Sequence, residues 1–140
     1  MPKVVLFYLI SGSTPEVEDL LRESGFGEES DGTGSAFVFP NSDNPVIQNL
    51  QVSSNGDAVR SVSEEEFELL LEQLGSPPST CVFAEVPYSH PGTTEVQWLA
   101  DLLLSKFGGV AIDENLGFDH AWTLPEIRSR ARIDGREFFE

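Results

Sequence analysis

The sequence predicts an α+β domain: a mixed, mainly antiparallel sheet with three to four helices packed mostly on one face. Three observations lead there. Two near-continuous apolar runs, Val4–Ile10 and Thr80–Val86, have the length and the β-branched and aromatic content of buried strands. An alternating segment and an Asn-Gly pair, both hairpin signals, occupy the middle of the chain. Helical stretches with legible starts and stops link strands on either side of that middle.

Val4–Ile10 is bounded by Ser11-Gly12-Ser13 and reads as a central strand. Thr14-Pro15-Glu16 then starts a helix, with Thr14 as N-cap and Pro15 at the first helical position. Val17, Leu20 and Leu21 form its inward stripe, and Gly25 stops it. Glu28–Ser35 is rich in Gly, Ser and acids and is expected to be a surface loop. Ala36–Phe39 is a short strand ended by Pro40. Val46–Val52 alternates, with Val46, Leu50 and Val52 on one face and Asn49 and Gln51 on the other. Asn55-Gly56 turns the chain into a return strand, Ala58–Val62.

Ser63 and Glu66 have capping-box spacing and open a helix carrying Phe67, Leu70, Leu71 and Leu74 inward. Gly75 ends it, and Ser76-Pro77-Pro78-Ser79 is a stiff connector. One domain spans 1–140, with a candidate internal boundary near 75–80. After strand Thr80–Val86 and a loop, Thr93 or Thr94 caps a helix reaching Phe107, whose core stripe is Val96, Leu99, Leu102 and Leu103. Gly108-Gly109 ends it, and Val110–Ile112 is a last short strand. Thr123-Leu124-Pro125-Glu126 starts a final helix expected to run through Arg132.

Charge separates the chain into two parts. The formal net charge is −16 over 140 residues. Residues 1–122 hold 20 of the 24 acids against four bases, whereas residues 123–140 hold four acids and four arginines. An anionic body of this strength repels nucleic acid and acidic membranes and steers cationic partners inward. Ten Phe residues set the chain apart from a disordered acidic tail. A single cysteine, Cys81, excludes an internal disulfide and a cysteine-built zinc site and fits a reducing compartment. The apolar start is far shorter than the ~20 residues that span a bilayer, and a cytoplasmic location is expected.

Few groups offer nucleophilic chemistry. Cys81 lies in an apolar strand, where a thiol behaves as a small hydrophobe. His90 meets Ser89 or Cys81 only through tertiary structure. Ser11–Thr14 lies between strand and helix, where phosphate binders sit, yet Glu16, Glu18 and Asp19 follow directly and disfavour an anion. Arg128, Arg130, Arg132 and Arg136 form the basic cluster, and pairing with the protein's own acids is the default expectation. No cofactor or metal is assigned.

Two constellations are left. Asp113, Glu114, Asp119 and His120 fall within eight residues, beside Phe118 and Trp122. The calcium-loop frame fails there, because Phe118 stands where Gly is needed and Leu124 where Glu is needed. Acids around an aromatic are instead what a basic, groove-bearing partner would meet. The second constellation is Glu64, Glu65, Glu68 and Glu72, of which Glu65, Glu68 and Glu72 line one helix face opposite Phe67 and the leucines. The ordinary explanation is a solvated face with acids favoured by the dipole near its start, which suits Glu64–Glu66 better than Glu72.

Leu99–Asp113, reading LADLLLSKFGGVAID, and Asp119–Ile127, reading DHAWTLPEI, resemble the C-terminal part of small bacterial immunity proteins. Those are cognate inhibitors encoded beside polymorphic or contact-dependent toxins. The resemblance implies a compact, acidic cytoplasmic protein that occludes a basic toxin's active site. The charge distribution leads independently to the same class, a non-enzymatic protein that binds a basic protein partner. The expected contact surface is Asp113, Glu114, Phe118, Asp119, His120 and Trp122 first, then Glu65, Glu68 and Glu72. Two other readings stay open: a small carboxylate- or metal-dependent enzyme using Asp113, Glu114, Asp119 and His120, and a regulatory subunit of a larger assembly.

Overall fold

The computed structural model describes residues 3–30, 35–39, 45–54, 64–87, 91–113, 120–133, 135 and 137–139. The apolar runs become strands because their two faces both find cover. Lys3–Leu9 (β1) is flanked by Thr80–Val86 (β5) and Gly109–Asp113 (β6), antiparallel to both. Val5, Phe7 and Leu9 point into one core, and Leu6 and Tyr8 into another on the opposite side. A central strand apolar on both faces is the expected outcome.

The remaining strands are Gly27–Ser30 (β2), Ser35–Phe39 (β3) and Ile47–Ser54 (β4). The six form one sheet in the order β2-β3-β4-β5-β1-β6, every described pairing being antiparallel. The helices are Thr14–Glu23 (α1), Glu64–Leu74 (α2), Thr93–Phe107 (α3) and Leu124–Arg128 (α4). With β1 lying between β5 and β6, the β5-α3-β6 connection is a split β-α-β unit.

Val17, Leu20 and Leu21 of α1, the Val96–Phe107 stripe of α3 and Ile127 of α4 all enter the larger core. Among the described helices, α2 alone packs on the other face, through Leu70 and Leu74 against Tyr8, Cys81, Val110 and Ile112. The α+β class stands, with three of the described helices on one face and one on the other.

Several boundaries differ from expectation for identifiable reasons. Gly27–Ser30 is a strand and not a loop, because its backbone pairs with Ser35–Val38 despite its polar composition. Arg22 holds it to α1 through a forked contact on Glu28, 3.0 Å to each carboxylate oxygen. The N-cap of α1 is Ser13, one residue before the expected Thr14. Ser13 forms a reciprocal capping box with Glu16, for which Thr14 has the wrong spacing. Gly92 precedes α3 without a side-chain cap, so neither Thr93 nor Thr94 serves that role. Helix α4 stops at Arg128 and does not reach Arg132, because Arg130 adopts φ +56°.

In β4, Ile47 and Leu50 are both fully buried although an odd spacing should put them on opposite faces. A bulge between Gln48 and Gln51, with Asn49 at φ +47°, makes up the difference. The expected Asn55-Gly56 turn, the Ala58–Val62 return strand and the Ser63 cap lie outside the described residues.

The connector before β5 is tied to the β1–α1 turn. Ser79 Oγ donates to the carbonyls of Leu9 and Gly12, and Thr80 Oγ1 donates to Gly12 at 2.7 Å. At the other end, Phe138 and Phe139 are buried in the larger core. Thr93 Oγ1 and Gln97 Nε2 donate to their carbonyl oxygens.

Candidate functional site

Of the segment expected to centre the contact surface, the described residues Asp113, His120 and Trp122 have structural roles. Asp113 ends β6 opposite Val5 and is only 2% exposed. Trp122 is 1% exposed: its backbone makes a two-bond bridge with Ala111, and its ring packs on Phe138 at 5.8 Å. The bridge covers the outer edge of β6 and turns the indole into the core. Neither residue is therefore on the surface where the sequence reading placed it. Glu114, Phe118 and Asp119 lie outside the described residues.

His120 is half-buried and sits edge-on to Trp122 at 5.0 Å. Its Nε2 is 3.1 Å from both carboxylate oxygens of Glu126. The same carboxylate accepts the Thr123 N–H at 3.0 Å and the Thr123 hydroxyl at 3.1 Å. Burial pushes the Glu126 carboxyl up, but the Thr123 N–H and then His120 pull it down further, leaving it below its ordinary value. This cluster fastens the start of α4. Among the described residues, no group of three His, Cys, Asp or Glu side chains has the arrangement to hold a metal ion.

The second expected surface is where the sequence put it. Glu65, Glu68 and Glu72 are exposed on α2, opposite the fully buried Leu70. At a rise of ~1.5 Å per residue they form a stripe about 10 Å long. No ion pair among the described residues involves any of them. The last turn of α2 contains Glu72 and no basic residue, so that carboxylate faces the negative end of the helix dipole. The helix dipole favours Glu65 in the first turn but not Glu72 in the last.

The basic cluster behaves as expected for two members. Arg128 makes a forked contact on Asp101, at 2.8 and 3.1 Å, which holds that carboxyl below its ordinary value. Arg132 reaches Glu137 at 3.8 Å and donates to the Gly135 carbonyl. Arg130 makes no ion pair among the described residues, and Arg136 lies outside them.

Sequence reasoning overlooked Trp98. It is 38% exposed and forms part of a cavity of about 390 Å³ between α3 and α4, with Thr94, Gln97, Asp101, Arg128 and Arg130. The signal was present: Thr94, Gln97, Trp98 and Asp101 follow helical spacing on the polar side of α3, where an indole is out of place.

Comparison with protein-family models, with curated proteins and with solved structures finds no match to this chain. Site geometry and charge therefore carry the functional reading. Among the described residues no helix is long and apolar enough to cross a membrane.

Proposed function

We propose that this chain is a non-enzymatic binding protein that engages a basic protein partner through the outer face of α2. The observation that carries the reading is the stripe of Glu65, Glu68 and Glu72, exposed and without ion pairs among the described residues. Like charges three and four apart on a helix repel by a few tenths of a kcal/mol each. A cationic surface reverses that term on contact and gains from the −16 field during approach. The resemblance of the C-terminal segment to immunity proteins supports a narrower version. In it the partner is a cationic toxin domain in the cytoplasm, and binding occludes its active site.

The test uses the product of the neighbouring open reading frame as partner. Association rates are measured between about 0.05 M and about 0.3 M salt, where screening tightens to within a Debye length of ~10 Å or less. The expected result is a rate that falls steeply with salt and drops at low salt in the Glu65→Gln/Glu68→Gln/Glu72→Gln variant. Absence of a complex, or a rate indifferent to both salt and the triple substitution, overturns the reading.

A further inference from the structure

The α3–α4 groove has chemistry opposite to the rest of the molecule. Arg128 and Arg130 line it against one carboxylate, Asp101, on a chain whose net charge is −16. Both Asp101 carboxylate oxygens are engaged by Arg128, and Arg130 makes no ion pair among the described residues, so its guanidinium is the groove cation assigned to a ligand. Arg130 also holds φ +56°, a left-handed conformation that disfavours residues with a side chain by ~1–2 kcal/mol. Glycine would fit that position without strain. The conformation closes the C-terminus of α4, where the Arg130 N–H bonds to the Ile127 carbonyl and the Ala131 N–H to the Glu126 carbonyl.

Trp98 supplies the apolar half of the groove. Its ring lies 4.8 Å from Phe39 and 5.9 Å from Phe26, both nearly parallel to it, and those two rings are 5.0 Å apart. Rings on opposite faces of an indole would be separated by about 7 Å, twice the carbon–carbon contact distance. Both Phe rings therefore support one face of Trp98. No third aromatic ring packs on Trp98 among the described residues, and the side chain is 38% exposed where it lines the groove. Ile127 adds an apolar wall from α4. A volume of about 390 Å³ is within the range that holds a small organic ligand.

We infer that the groove binds a planar aromatic anion, its ring packed on the exposed part of Trp98 and its carboxylate or phosphate on Arg130. Charge complementarity selects the anion, and the supported indole selects the ring. The groove lies on the face of the sheet opposite α2, so this inference does not depend on the proposed function.

The chain has two tryptophans, and their indole N–H resonances give the readout. Phenyl phosphate and benzoate are titrated separately into the labelled protein up to about 10 mM, with benzyl alcohol and inorganic phosphate as controls. The expected result is a saturable shift of the Trp98 resonance with at least one anionic ring and none at Trp122. Either control should bind at least tenfold more weakly. Tighter binding of phenyl phosphate identifies a phosphate ligand, and tighter binding of benzoate a carboxylate. Arg130→Gln should weaken binding at least tenfold with the spectrum otherwise unchanged. Arg130→Gly should do the same while raising the melting temperature, because it relieves the backbone. The inference is overturned by no saturable shift with either aromatic anion. Equal binding of inorganic phosphate or benzyl alcohol, or binding indifferent to Arg130→Gln, overturns it as well.

Discussion

Glu126 joins three neighbours through one carboxylate: the Thr123 backbone N–H, the Thr123 hydroxyl and the His120 ring. Folding leaves this group with a lowered pKa, so it stabilises the native state above the ordinary carboxylate range. That contribution is lost as pH falls through the lowered value. In denaturant titrations between about pH 6 and about pH 3, Glu126→Gln should therefore reduce stability at the upper end and flatten the decline. Thr123→Ala removes the cap oxygen and should cost about 1 kcal/mol at neutral pH. Gly109 presents a steric limit of another kind. Its φ is +127°, and a Cβ there would run into the Tyr8 carbonyl oxygen of the paired strand. Gly109→Ala should cost at least about 2 kcal/mol, measured by thermal or chemical unfolding.

Among the described elements, α2 is both the helix that packs on the smaller core and the carrier of the glutamate stripe. Its two faces should respond oppositely to substitution. Leu70→Ala empties a fully buried position and should destabilise by about 2–5 kcal/mol. The triple glutamine variant removes mutual repulsion and should stabilise by a few tenths of a kcal/mol, seen as a small rise in the denaturation midpoint. Elements differ in how far the sequence revealed them. Strand β5 matches its apolar run at both ends, and α3 buries Val96, Leu99 and Leu103 of its expected stripe, with Leu104 fully in the core and Leu102 only partly buried, because burial writes itself into composition. Strand β2 was hidden, because an edge strand reading Gly-Glu-Glu-Ser carries polar groups, which discourage pairing with other chains. The β4 bulge was hidden too, since one extra residue reverses the alternation on which strand reading depends. Trp122 illustrates the limit for the site. An aromatic beside acids reads like a surface anchor until the Ala111 bridge shows which way it faces.

At the scale of the molecule, a sheet with helices on both sides separates two surfaces of unlike chemistry. The α2 side presents carboxylates without described ion pairs, and the α3–α4 side presents a tryptophan and an arginine likewise without a described ion pair. Four of the eight bases belong to the last 18 residues, and two of them, Arg128 and Arg132, pair with acids of α3 and of the tail itself. The compact state therefore concentrates repulsion in the body. Raising salt from about 0.02 M to about 0.3 M shortens the screening length and should raise the melting temperature by a few degrees. A melting temperature that is constant or lower at the higher salt would show that the carboxylates are internally balanced.

The position of β1 between β5 and β6 also constrains how the chain reaches its native state. A nascent or truncated chain ending before Thr80 contains the segment Lys-Val-Val-Leu-Phe-Tyr-Leu with neither of its neighbours. The second neighbour arrives only with residues 109–113. Pairing across such separations slows folding, because a long loop must close before any contact rewards it. The most aggregation-prone stretch of the protein is thus the one that waits longest for cover.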